Sequence, residues 1–402
     1  MKILNISAQK PSSTGSGVFL TELVKEFHMQ GHEQVVVAGV YEEDTVSFPE
    51  TVKFCPVYFK KDNLPYPIVG MSDEMPYPST RYRDMTPEMV IQFREAFLKV
   101  LRPLIEEFKP DVILTHHLYL LTAIVRKYFP DQTVYGFCHN TDLRQMEKTD
   151  LERKDISAYI RRLDRIFALQ EAQKKKILQI FEVEPEKIHI IGMGYNSNIF
   201  FCKDKEKKDD VTRVVFAGKI AEKKGLKSLM RSLCLLHVPE DKLEVSLAGG
   251  AGNKEEYEEI VRLSKECPYP VKFLGMLSHN ELAEVYNESD IFVLPSFFEG
   301  LPLTVIEALA CGNRVVMTDL PGISEWISEN VTDPDISYVS LPEMRNADEA
   351  VGETLPDFEQ RLAGALQKCI DKKETLKADT SRISWEKIAE KVLNKTLEAG
   401  GK

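Results

Sequence analysis

The sequence predicts an α/β protein of two doubly wound domains, and three observations carry that prediction. Short apolar runs that read as buried strands recur along the chain, alternating with segments whose apolar residues repeat at helical spacing. At 402 residues with 43% hydrophobic content, the chain is long enough to build two cores. A charged stretch without apolar periodicity, Phe201–Asp210 (FCKDKEKKDD), separates two such series and reads as the linker between them. The expected division is an N-terminal domain over 1–202, a C-terminal domain over 203–383 and a closing helical segment over 384–402.

In the N-terminal half, Met1–Ile6 reads as a strand. Ser12–Gly17 (SSTGSG) follows as a small-residue turn, ahead of the helix-like run Val18–His28. Lys60–Thr86, rich in Pro, Tyr, Met and charge, shows neither period and reads as a long loop. Lys109–Thr115 (KPDVILT) and Thr133–Phe137 (TVYGF) are further strands, followed by His116-His117 and by Cys138-His139-Asn140. Both histidine groups sit where a strand gives way to a loop, the position at which α/β domains place ligand contacts. His116 and His117 read as structural, because no third metal ligand accompanies them. Asp142 and Arg144 follow His139 closely; Arg144 suits a phosphate, an acceptor carboxylate or plain solvent.

The C-terminal half is more specific. Val214–Ala217 (VVFA) reads as a buried strand, Gly218–Gly225 (GKIAEKKG) as a basic turn, and Leu226, Leu229, Met230 and Leu233 as one face of a helix. Leu243–Leu247 with Ala248-Gly249-Gly250 gives a strand and glycine turn, Val271–Gly275 another strand, and Ser278–Glu281 a capping box. Asp290–Pro295 (DIFVLP) precedes Ser296–Gly312 (SFFEGLPLTVIEALACG), in which Pro302 suits the first position of a helix. Backbone N–H groups at that helix start, around Gly300 to Thr304, favour an anion, and Gly300 lets a ligand approach the backbone. Glu299 and Glu307 lie eight positions apart on either side of this turn. Carboxylates accept hydrogen bonds from vicinal hydroxyls, so a diphosphate with a hydroxylated ring at each end matches the layout. Nucleotide sugars have that shape. Arg314–Met317 is a further strand, Pro321–Glu325 a glycine turn opening a helix, and Trp385, Ile388, Val392 and Leu393 repeat at helical spacing near the end.

With these residues in view, the chain resembles the retaining glycosyltransferases of family 4, whose E-x7-E signature matches Glu299 and Glu307. The resemblance runs almost without a gap from Val214 to Trp326. It implies the GT-B architecture: two Rossmann-like domains facing a cleft that holds the donor, with a C-terminal helix crossing back to the N-domain. Glu299 is then implied to meet the donor sugar and Glu307 the nucleotide ribose. Gly218–Gly225 resembles the family's G-R-L-x-x-x-K-G motif and maps its two diphosphate-binding cations onto Lys219 and Lys224. Lysine at the first position keeps the charge but loses the bidentate fork of arginine.

Backbone at Gly275 and Met276 is implied to line the base pocket. Gly15 and Gly17 stand for the family's N-terminal glycine loop, with the common Gly-Gly replaced by Gly15-Ser16-Gly17. Gly300, Leu301 and Pro302 complete the diphosphate site. His139 resembles the histidine that faces the donor sugar, and the 60–86 loop would shape the acceptor site. Taken together, the resemblance implies a catalytic set of His139, Lys224 and Glu299, with transfer of a hexose from a nucleoside-diphosphate sugar to a hydroxyl acceptor. UDP is the expected nucleotide because it is commonest in the family. The expected outcome is retention of configuration, with the departing phosphate helping to take the acceptor proton, so no side-chain nucleophile is assigned.

Composition bounds the function further. A formal charge of −11 argues against a nucleic-acid partner. The seven cysteines are scattered without a C-x-x-C pair, so neither a disulfide framework nor a zinc site is expected. No apolar run is long enough to span a bilayer and the chain starts directly on a strand, which leads to the expectation of a cytoplasmic protein. The basic zone Arg153–Arg165 with Lys174–Lys176 reads as solvated helix faces, with peripheral docking on an anionic inner membrane surface as the functional alternative. Asp333-Pro334-Asp335 has the D-x-D pattern that holds a divalent ion in another class of glycosyltransferases, but lies in a polar stretch and reads as a surface turn. No metal and no cofactor are therefore expected beyond the nucleotide sugar itself. A nucleotide-sugar epimerase on the same architecture is the alternative enzyme. An oxidoreductase is disfavoured because no clean G-x-G-x-x-G follows Met1–Ile6, and a noncatalytic sugar-nucleotide binder would not need His139.

Overall fold

The computed structural model describes residues 1–61, 63–73, 75–203, 209–251, 253–346, 349–372 and 376–400, the side chains of 395–400 excepted. The chain forms two compact units, one of Met1–Met193 with Trp385–Lys402 and the other of Gly194–Ser384. Part of the charged run expected as the linker, 204–208, lies outside the described residues. The segment just ahead of it belongs to the second unit: Tyr195 and Phe200 are buried in that unit's core, and Tyr195 Oη lies 2.8 Å from Thr380 Oγ1.

The strands of the first unit are β1 (Lys2–Ser7), β2 (Glu33–Val40), β3 (Lys53–Tyr58), β4 (Val69–Gly70), β5 (Thr80–Arg81), β6 (Val112–His116), β7 (Val134–Phe137), β8 (Arg165–Ala168) and β9 (Ile188–Ile190). Seven of them form one parallel sheet in the order β3-β2-β1-β6-β7-β8-β9. Near-continuous apolar runs such as VVVAGV in β2 suit a parallel sheet whose two faces are both covered. Strand order reverses between β1 and β6, so the loops leaving these two strands flank the crevice at which such sheets bind ligands.

Two expectations need correction here. The first helix spans Gly15–Met29 and so begins earlier than Val18. Thr14 caps it by accepting from Gly17 N at 3.2 Å, which draws Gly15 and Gly17 into the first turn. A Cβ on Gly17 would lie 2.6 Å from Lys10 O, so the return of the chain past β1 requires glycine there. The 60–86 segment is not an open loop. Its β4 and β5 pair in parallel, and Tyr66, Ile68, Met71, Tyr82 and Met85 are buried. Its aromatic and sulfur side chains enter the core one at a time, which leaves no period for a sequence reading to find. Residues 62 and 74 of this segment lie outside the description.

The helix Trp385–Gly400 packs within the first unit. Trp385, Ile388, Ala389 and Val392 are buried with Phe19, Leu23 and Phe27. Phe19 meets Trp385 edge-on at 5.1 Å. At about 1.5–3 kcal/mol per fully buried large apolar side chain, this face anchors the helix firmly.

The second unit carries β10 (Thr212–Ala217), β11 (Leu243–Ala248), β12 (Val271–Gly275), β13 (Ile291–Leu294), β14 (Arg314–Asp319) and β15 (Ile336–Ser340). They form a parallel sheet in the order β12-β11-β10-β13-β14-β15, reversing between β10 and β13. The capping box at Ser278 and Glu281 is formed in both directions. Among the described residues no helix is long and apolar enough to cross a membrane.

Candidate functional site

In the second unit the loops leaving β10 and β13 are the two that flank the reversal, and they are stitched together. Phe297 N donates to Lys223 O at 3.0 Å. Gly225 adopts the left-handed conformation (φ 68°), and a Cβ on it would lie 2.0 Å from Pro295 O, so only glycine lets the two loops touch. The contact delivers Lys224 to Glu299: Nζ and Oε1 are 2.6 Å apart, with both side chains mostly screened from solvent. One ammonium has three N–H donors, so this bond leaves others for a ligand. Lys219, on the same loop, is exposed and has no ion-pair partner among the described residues.

The neighbouring turns close on this loop from the other side. Gly218 N donates to Ala248 O at 2.9 Å, and Ile220 N to Gly250 O at 2.9 Å. Gly249 N donates to Gly275 O at 2.7 Å, placing the Gly275-Met276 turn beside the Gly249-Gly250 turn. Met276 is 86% exposed, and a Cβ added to Gly250 would lie 3.1 Å from its Cγ.

The helix after β13 spans Leu303–Ala310 and Pro302 occupies its N-cap, one residue before the position expected for it. Pro302 has φ −78° and ψ 95°, an extended conformation that delays the first helical turn. Glu307 lies on the inward face of this helix and is buried, and burial pushes its carboxyl up to about 8. Tyr286 Oη and Ser296 Oγ are also buried in this unit without a hydrogen-bond partner among the described residues. Glu299 at the turn and Glu307 inside the helix thus present one cation-paired carboxylate and one enclosed carboxyl without a cation, two different chemistries from one residue type. The D-x-D sequence is a turn: Asp333 has φ 51°, and Asp335 accepts from Lys372 Nζ at 2.7 Å and Leu376 N at 3.1 Å.

In the first unit the loops after β6 and β7 bring three histidines together. His116 Nδ1 is 3.2 Å from His139 Nε2, and the two ring planes are nearly parallel, with 5.4 Å between centroids. His117 Nε2 is 3.0 Å from Ser16 Oγ of the first helix. His117 and Asn140 both adopt left-handed backbone conformations (φ 72° and 71°), rare for residues with a side chain and a sign that the loops are held.

The holder is Asp142. It is fully buried and accepts from Leu118 N at 2.8 Å, from His139 N at 3.3 Å and from Leu143 N at 3.1 Å. Burial keeps all three imidazoles neutral, pushing His139 down to about 3. His139 also meets Phe19 edge-on at 5.2 Å, and Phe19 in turn meets Trp385. The sequence points to His139 alone, with His116 and His117 expected to be structural. The missed signal was that β6 and β7 are consecutive strands, whose ends lie side by side in a parallel sheet. Arg144 is exposed and takes no part in this cluster. Within the basic zone, Arg161 pairs with Glu182 and Lys176 with Glu147.

Comparison with known proteins gives two family matches on different parts of the chain. Residues 13–198 match Glycosyltransferase Family 4, and residues 211–349 match Glycosyl transferases group 1. The alpha-maltose-1-phosphate synthase of Mycobacterium tuberculosis is 24% identical over 253 residues, covering 57% of this chain and 62% of that protein. The matched stretches span about half to three fifths of the length of such curated relatives. Among solved structures, sucrose-phosphate synthase from Thermosynechococcus elongatus superposes with a TM-score of 0.66 at 16% identity, covering 100% of both chains. HepE of Anabaena in complex with UDP-glucose superposes with a TM-score of 0.59 at 15% identity, covering 99% of this chain and 100% of that one. At these identities the structural likeness shows the fold.

Proposed function

The chain belongs to glycosyltransferase family 4 and has the GT-B fold, and from that premise we propose that it transfers a hexose from a nucleoside-diphosphate sugar to a hydroxyl acceptor, retaining configuration and using no metal. The observation that carries the reading is the pairing of Lys224 with Glu299 at the strand-order reversal of the second unit, with Glu307 on the helix that follows. The N–H groups of Lys224 not engaged by Glu299, together with Lys219, take the diphosphate and stabilise the charge that develops on it as the anomeric bond breaks. Glu299, already anchored through Lys224, accepts from the sugar hydroxyls. Glu307, enclosed and away from water, bonds the ribose diol, its carbonyl oxygen accepting from one hydroxyl. The Gly275-Met276 turn takes the base, and for His139 it is the resemblance to the family that supports a role at a sugar hydroxyl. UDP is the preferred nucleotide, supported by the UDP-glucose bound to HepE.

The test is to incubate the protein with a panel of nucleotide sugars and hydroxylated acceptors, with and without excess chelator, and to measure free nucleoside diphosphate and product configuration. Acceptor-dependent release that persists in chelator and yields the donor's own anomeric configuration is expected. Abolition by chelator with rescue by magnesium contradicts the metal-free reaction, inversion contradicts retention, and an epimerised sugar formed without acceptor contradicts transfer.

A further inference from the structure

We propose that His116 fixes His139 in the tautomer with its proton on Nδ1, so that His139 meets its ligand as a hydrogen-bond donor and takes no proton from it. The ligand chemistry this selects is an oxygen with a free lone pair, such as a sugar hydroxyl or ether oxygen. That identity rests on the transfer reaction proposed above, whereas the tautomer does not.

Both rings are neutral, since His116 is buried against Phe137, which stacks on it at 5.0 Å, and burial lowers both imidazoles. Each ring therefore carries one N–H and one bare nitrogen. The 3.2 Å contact between His116 Nδ1 and His139 Nε2 uses one of each, which leaves two arrangements. If His139 donated from Nε2, His116 would carry its proton on its own Nε2. That atom is buried and has no hydrogen-bond partner among the described residues.

The outcome would be an imidazole N–H sealed from water without an acceptor, the rarer and costlier kind of orphan. If His116 donates from Nδ1 instead, its buried Nε2 is only a bare lone pair. His139 then accepts at Nε2 and carries its proton on Nδ1. No described residue bonds to Nδ1 of His139, and this ring is half-buried where His116 is buried.

The same rule fits the neighbouring histidine. His117 Nδ1 is buried and unpartnered, so its proton belongs on Nε2, donated to Ser16 Oγ. The Ser16 hydroxyl is then turned toward Thr14 Oγ1, 3.1 Å away. His116 is thus a positioning residue for His139, and His117 for the first turn of the Gly15–Met29 helix.

The experiment is two-bond proton–nitrogen correlation NMR on the intact, ligand-free protein labelled at its histidines, with His139 assigned by its loss in His139→Ala. Expected is a pyridine-like Nε2 and a pyrrole-like Nδ1 on His139, the reverse of the tautomer that free imidazole side chains favour in water. A pyrrole-like Nε2 on His139 overturns the proposal. Two variants extend the test. His116→Asn keeps an amide donor near the place of Nδ1, whereas His116→Phe keeps the ring and removes the donor. His116→Phe should mix the His139 tautomers and lower kcat roughly tenfold, and His116→Asn should restore both. Equal loss of kcat in both variants with an unchanged His139 spectrum also overturns the proposal. A His139 with its proton on Nδ1 in a protein that transfers no sugar would leave the tautomer standing and remove the transfer reaction.

Discussion

Glu307 holds a carboxyl away from water on the Leu303–Ala310 helix, and its environment raises its proton affinity from the ordinary 4.5 to about 8. The cause is desolvation, which penalises the charged form. Across the interval between those two values the folded protein keeps a proton that the unfolded chain releases. The group's contribution to stability is therefore complete below about 4.5 and is lost as pH rises toward about 8. Glu307→Gln has the same shape without the charge, so it should raise the melting temperature of the second unit above neutral pH and change it little in mild acid. A gain of roughly 2–4 °C per kcal/mol relieved is the scale for a unit of this size. Thermal unfolding followed from acid to mildly alkaline pH checks this. An equal gain at every pH would mean that Glu307 is not the titrating group.

At the scale of elements, the site is made by loops that touch because glycine allows it. Gly225→Ala places a Cβ 2.0 Å from Pro295 O at φ 68°, and the loops must part. The expected cost is about 2–4 kcal/mol in denaturant unfolding of the second unit, together with loss of the Lys224–Glu299 pair. Gly300→Ala is the contrast: a Cβ there meets nothing within 4 Å, so stability should stay within about 0.5 kcal/mol of wild type. Similar costs for both would show that the glycines act through the unfolded chain and not through contact.

These elements also show what was legible beforehand. The strand runs of the second unit and the Ser278 capping box could be read from the sequence because period and cap chemistry are local. The pairing of Lys224 with Glu299 could not, because it depends on a backbone approach at Gly225 between segments far apart in sequence. The His116–His139 contact escaped for the same reason, and the packing of Tyr66, Met71 and Tyr82 left no period to read. The start of the first helix was misplaced because Thr14, not the first apolar residue, sets it.

Among the described residues, each unit carries one large parallel sheet with one reversal of strand order, beside the small β4-β5 pair of the first unit, and each places its polar cluster at the loops on the carboxyl side of that reversal or next to it. The second unit's cluster is cationic and carboxylic; the first unit's is built from three imidazoles, two buried and one half-buried. The closing helix packs into the first unit through Trp385, whose ring meets the same Phe19 that meets His139.

On the proposed function, the second unit holds a nucleotide sugar with Glu307 at the ribose end and Glu299 at the sugar end. Calorimetric titration of Glu307→Ala and Glu299→Ala with UDP and with the intact donor tests it most directly. A lost hydrogen bond is worth about 0.5–1.5 kcal/mol at a neutral carboxyl and about 1.5–3 kcal/mol at a charged one, or roughly a few-fold to more than tenfold in affinity. Glu307→Ala should weaken both ligands to that extent, whereas Glu299→Ala should leave UDP binding nearly intact and weaken the donor. Equal losses for both ligands in both variants would contradict the assignment of the two ends.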